Sequence, residues 1–150
     1  MDYETFFRRK SEDVARELLG RQLVRNTDIG STSVSIIEVG AYEGGNPTPS
    51  RAGMNYAPGT VFLMPFRGSQ LLNIATDRRG FPSCVEIRAV AFHDRVVEGS
   101  GRITNLLDLE GLDGAVLGNE LKIIGKPVDD SEVKKIKGDA ENCLGYFLVK

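Results

Sequence analysis

Apolar residues along the chain fall into short runs with two different periods. Between Ser11, a plausible N-cap, and Gly20, a plausible helix stop, Val14/Leu18 and Ala15/Leu19 recur four residues apart. That spacing places them on one helical face. From Arg21 onward the period shortens to two. Arg21–Arg25 reads as a strand, Asn26–Gly30 as its turn, and Thr32–Tyr42 as a long second strand. Strict alternation puts Val34, Ile36, Glu38, Gly40 and Tyr42 on one face of that strand.

The stretch Gly44–Ser50, with glycine and proline throughout, is loop by composition. Pro58-Gly59 predicts a turn into a strand over Thr60–Phe66, and Arg67-Gly68-Ser69 a hairpin turn into Gln70–Ala75. After a turn at Asp77–Gly80 comes a strand over Ser83–Ala91. Its apolar face is expected to be Val85, Ile87, Ala89 and Ala91, with Cys84, Glu86 and Arg88 opposite. A second helix is predicted from Ser100, with Ile103, Leu106 and Leu107 facing inward, then strands at Leu121–Ile124 and Tyr146–Val149. The order predicts one α+β domain over residues 1–150, with a mixed, mostly antiparallel curved sheet and flanking helices.

Composition narrows the chemistry. At 150 residues with 41% apolar and 27% charged residues, the chain suits one ordinary hydrophobic core. It contains no apolar run of the ~20 residues a membrane span needs, and its first ten residues lack the apolar centre of a secretory signal. A cytoplasmic protein with no membrane partner is the expectation. Cys84 and Cys143 read as small apolar side chains, and the single histidine, His93, as structural or exposed. One imidazole and two distant thiols leave carboxylates, amides and arginines to carry any chemistry.

The net charge of −2 gives no overall attraction to nucleic acid, yet charge is unevenly distributed. Seven arginines lie between Arg51 and Arg102, and seven acids between Ile103 and Glu132. A local basic face and two ordinary solvated faces are both compatible with that distribution. Polar residues also interrupt buried-looking strands, namely Glu38, Tyr42, Asn73 and Arg88. Such groups need partners, either as an internal network with a Glu38–Arg88 salt bridge across the sheet or as the wall of a pocket.

Several segments, taken in order, carry a resemblance. They are Glu38-Val39-Gly40-Ala41-Tyr42, Gly53-Met54, Pro58-Gly59-Thr60, Asn73-Ile74 and Cys84–Ala89, with Asp13–Gly20 upstream and Gly99–Ile103 and Tyr146–Val149 downstream. Together they resemble the alkyladenine (3-methyladenine) DNA glycosylase family, whose fold is related to the C-terminal domain of formyltransferases acting on initiator tRNA. The resemblance implies a base-excision repair protein that turns a damaged purine out of double-stranded DNA and hydrolyses its bond to the sugar. It implies a monomer working without metal or cofactor. It also implies site roles: Tyr42 stacks on the base, Asn73 lies at the pocket floor, and Arg88 sits near the attacking water. Met64 takes the second stacking position, and the backbone carbonyl of Ile136 touches the water. Phe66 or Arg67 wedges into the minor groove, and Arg51 contacts DNA.

The family pattern is only half kept: its pocket histidine falls in the shortened segment Gly44–Ser50, which has none, and its second stacking aromatic is replaced by Met64, which offers no π face. The water-activating glutamate lies two residues before the stacking tyrosine, where this chain has Gly40. Glu38 is the nearest carboxylate on that strand, although two residues along a strand is roughly 6.5–7 Å. Glu43 is a second substitute. The alternatives are a homologue that binds DNA lesions without excision and a domain that binds another nucleic acid such as tRNA.

Overall fold

In the computed structural model, residues 1–44, 55–138 and 142–150 are described. Two short helices open the chain, α1 (Tyr3–Phe7) and α2 (Ser11–Leu18). The strands β1 (Gln22–Thr27), β2 (Gly30–Tyr42), β3 (Val61–Phe66), β4 (Ser69–Ala75), β5 (Cys84–Phe92) and β6 (Arg95–Glu98) follow. Helix α3 (Ser100–Leu106) then precedes β7 (Leu121–Ile124), β8 (Val133–Ile136) and β9 (Cys143–Val149). Ser11 is the first helical residue rather than the cap. Lys10 occupies the cap position and makes no side-chain capping bond, while Ser11 is buried under the helix start.

The described strands form one curled sheet in which every pairing is antiparallel, with the order β3-β4-β5-β2-β1-β7. Long β2 is its spine. Its first half pairs with β1, and its second half exchanges that neighbour for β9 while β5 runs along the other edge. Strand β8 pairs with β9, and β6 pairs with β5. The short strands β6 and β8 and helix α1 lack a strong enough period to be expected from sequence.

Alternation fails at one place that matters. The β2–β5 register shifts between Ile36 and Glu38 and again between Glu38 and Val39. Such a bulge moves later side chains to the opposite face. Val34 and Ile36 therefore lie in the core before the bulge, and Val39 and Ala41 after it. The expected single face of Val34, Ile36, Glu38, Gly40 and Tyr42 is corrected: the last three face away from that core. The same shift breaks β5, where Val85 and Ile87 are joined in the core by Val90 rather than by Ala89 and Ala91.

The core is built from Leu18, Leu23, Ile36, Ile74, Ile87 and Phe147, with Ile103 and Leu107 of the α3 segment. Helix α2 packs on β2, β5 and β9, and α3 on β4 and β5. On the other face of the sheet from this core, Phe62 of β3, Ala75 of β4 and Cys84 of β5 form a second apolar cluster, against which Tyr42, Tyr56 and Met64 pack. Among the described residues, no helix is long and apolar enough to cross a membrane.

Candidate functional site

The face released by the bulge carries Glu38, Gly40 and Tyr42 on β2, Glu86 and Arg88 on β5, and Tyr146 on β9. Register fixes their neighbours: Gly40 is the direct partner of Glu86 on one side and of Tyr146 on the other. A Cβ at Gly40 would lie 3.1 Å from a Tyr42 ring carbon, 3.2 Å from Arg88 Cδ and 3.2 Å from a Tyr146 ring carbon. The absent side chain thus lets the Arg88 stem pass over β2. Its guanidinium carbon sits 4.0 Å from the centre of the Tyr146 ring, a cation–π stack.

Arg88 is also held by two carboxylates. Its Nε donates to Glu38 Oε2 at 2.8 Å and its Nη1 to Glu86 Oε1 at 3.2 Å. Burial works against its charge, but the Glu38 hydrogen bond and the Glu86 charge outweigh it and hold the guanidinium above its ordinary range. Glu86 is only 7% exposed. It accepts further hydrogen bonds from the Tyr42 hydroxyl at 3.2 Å and from Ser100 Oγ, at the start of α3, at 2.6 Å. Burial, then the neighbouring Glu86 charge, pushes the Tyr42 phenol well above the usual tyrosine range. The hydroxyl therefore stays a donor.

Beside this network opens a cleft of about 440 Å³, lined by Glu38, Glu86, Arg88 and Glu98 with Phe66, Leu71 and Ser100. Such a volume suits a small-molecule-sized group. Its charged lining is three carboxylates against one guanidinium. Phe66 stands at its rim, 50% exposed, on the β3–β4 hairpin. The tip is Arg67-Gly68, both at positive φ (48° and 80°), as a tight two-residue hairpin turn requires. The Arg67 guanidinium lies 5.1 Å from the Phe66 ring centre.

The residues singled out from sequence are thus only partly gathered. Glu38, Arg88 and Phe66 line the cleft, with Arg67 at the hairpin tip beside it. Tyr42 and Met64 each pack against the second apolar cluster. Asn73, the β4 partner of Glu86, is buried, donates to Leu71 O and accepts from Cys84 Sγ. Ile136 is largely exposed on β8 opposite Tyr146. Arg51 and the Gly53-Met54 motif lie outside the described residues. His93 is exposed in the β5–β6 turn, Cys84 is buried and Cys143 half-buried. Sequence reading missed Glu86, Ser100 and Tyr146. The one available signal was a carboxylate within the apolar pattern of β5. Among the described residues, no group of three or more His, Cys, Asp or Glu is placed to hold a metal ion.

Comparison with known proteins adds a family to this geometry. A family model described as methylpurine-DNA glycosylase matches residues 5–137. Proteins bearing the name "Putative 3-methyladenine DNA glycosylase" are similar over part of the chain. One from Methanocella arvoryzae is 33% identical, covering 56% of this chain and 47% of its own length. One from Anaeromyxobacter dehalogenans is 35% identical over 57% and 46%. One from Listeria monocytogenes is 31% identical over 57% and 46%. The matched region is about half the length of these curated relatives.

Proposed function

The chain belongs to the methylpurine-DNA glycosylase family, and from that premise we propose that it recognises cationic alkylated purines in double-stranded DNA and releases them by hydrolysis. The observation that carries this reading is the charge of the cleft, where Glu38, Glu86 and Glu98 face a single Arg88. Such a lining attracts a positively charged base and offers a neutral one little. A cationic purine also leaves as a neutral molecule, so its departure needs no proton donor.

The remaining roles follow from position. Phe66, on the hairpin at the cleft rim, is the wedge that replaces the displaced base, and Arg67 beside it contacts phosphate. Tyr42 and Met64, packed against the Phe62–Ala75–Cys84 cluster outside the cleft lining, are the residues we assign to hold the base, with the Asn73 amide near them. Of the three carboxylates Glu98 is exposed, while half-buried Glu38 is already paired with Arg88.

A second reading, lesion binding without excision, is favoured by the closure of the space at Gly40. One experiment with two measurements separates the readings. Duplex DNA carrying 3-methyladenine is incubated with the protein and the free base is measured against a no-protein control; binding is followed by fluorescence anisotropy. Release above the control for 3-methyladenine, with none for hypoxanthine, is expected. Binding without release would leave the second reading, and neither binding nor release would end both.

A further inference from the structure

Cross-strand register places a carboxylate where the loss at position 40 would be felt. Gly40 and Glu86 are direct partners across β2 and β5, and such partners have Cβ atoms about 4.5–5.5 Å apart on the same face. Glu86 therefore stands beside Gly40 on the same face, one strand over. Glu38 is less well placed. It lies at the bulge, where its β5 partner is Ala89 rather than a residue beside Gly40.

Glu86 is also an expensive residue to keep in an otherwise apolar strand. A nearly buried carboxylate is tolerated only when hydrogen-bonded, and Glu86 takes donors from three elements: Tyr42 on β2, Arg88 on β5 and Ser100 on α3. A carboxylate has about four acceptor sites, and these donors leave one while the residue still lines the cleft.

We infer that Glu86 is the carboxylate that holds and deprotonates the attacking water, taking over from β5 the role that Gly40 cannot perform on β2. The inference rests on the hydrolytic reading above. In the step, the water oxygen bonds to the sugar C1′ and the bond from C1′ to the purine breaks. Its electron pair stays with the purine and cancels the positive charge. The water proton passes to Glu86 Oε2, which accepts only from Ser100 while Oε1 is filled by Tyr42 and Arg88, and then to solvent. Arg88 and Ser100 fix the carboxylate's orientation, and the glycine at position 40 keeps the space in front of it open to the Arg88 stem. The charged and titratable groups around Glu86 are Glu38 and Tyr42 of β2, Arg88 of β5, Glu98 of β6 and Tyr146 of β9.

The test compares wild type with Glu86→Gln, Glu86→Asp and Glu38→Gln. Single-turnover release of 3-methyladenine is measured from pH 4 to 8, with melting temperature and lesion-DNA affinity for each variant. Glu86→Gln should lower the release rate by about 100-fold or more and remove the fall in rate toward acid pH, while still melting above the assay temperature and binding lesion DNA. Glu86→Asp should retain the acid limb at a reduced rate. Glu38→Gln should weaken affinity for the cationic lesion and keep the acid limb. Undiminished release by Glu86→Gln, or loss of the acid limb in Glu38→Gln, overturns the assignment while leaving the hydrolytic reading standing. Absence of release by wild type overturns both.

Discussion

Adding a side chain at Gly40 should destabilise the protein rather than restore a missing group. The Cβ of Gly40→Ala meets three neighbours at 3.1–3.2 Å, on Tyr42, Arg88 and Tyr146. Each must yield a few tenths of an ångström, and all three are held by hydrogen bonds or stacking. Overpacking of this kind costs about 1–3 kcal/mol, offset by roughly 0.5–1 kcal/mol from the reduced backbone freedom of alanine in a strand. The net loss of about 0–2.5 kcal/mol corresponds to at most roughly 10 °C in Tm for a chain of this size. Gly40→Glu adds a like charge opposite Glu86. At a charge separation of roughly 5–8 Å and an effective dielectric constant of about 20, that repulsion is about 2–3 kcal/mol. The total is about 2–5 kcal/mol, a large part of a typical domain's stability. Thermal and urea unfolding of the two variants, alongside 3-methyladenine release, measure this directly. A Gly40→Ala protein that melts clearly above wild type would show that the space is not filled. A Gly40→Glu protein with unchanged melting and faster release would refute both the packing argument and the transfer of the carboxylate role to Glu86.

Two further outcomes follow from the same network. Ser100→Ala removes a donor from the nearly buried Glu86 carboxylate and should cost about 1.5–3 kcal/mol in urea denaturation; a change below 0.5 kcal/mol would mean that Ser100 does not support Glu86. The Tyr42 phenol has its folded pKa raised above the unfolded value of 10.0. The folded state therefore holds that proton more tightly, so this contribution to stability is full below pH 10 and is lost as pH rises further, by at most about 1.4 kcal/mol per pH unit. Alkaline titration of the ultraviolet absorbance should show the Tyr42 phenolate appearing only with unfolding, and Tyr42→Phe should abolish that late component. Titration of Tyr42 in the folded protein near pH 10 would contradict its buried bond to Glu86.

Local chemistry was legible wherever it depended on neighbours in the chain. The four-residue spacing of Val14/Leu18 and Ala15/Leu19 sufficed for α2, and Arg67-Gly68 for the β3–β4 turn, because helix faces and tight turns are decided within a few residues. The Glu38–Arg88 pair was anticipated as a salt bridge and forms at 2.8 Å. Alternation along β2 also placed Glu38, Gly40 and Tyr42 together, and they do share a face.

Sequence alone determined the α+β class, most strand positions, and the two facts on which function turns: a strand keeping Glu38 and Tyr42, and a glycine between them. Tertiary structure decided which way that strand faces. The bulge at Ile36–Glu38 arises from pairing with β5, some fifty residues away, and reverses the side-chain alternation that a period of two assumes. It decided, too, that Glu86 stands opposite Gly40 and Tyr146 beside it, since register between distant strands leaves no local trace in either one. Gly40 read alone is a missing carboxylate; Gly40 in the folded sheet is the gap that lets Arg88 cross β2 to Tyr146, with the carboxylate of Glu86 on the adjacent strand.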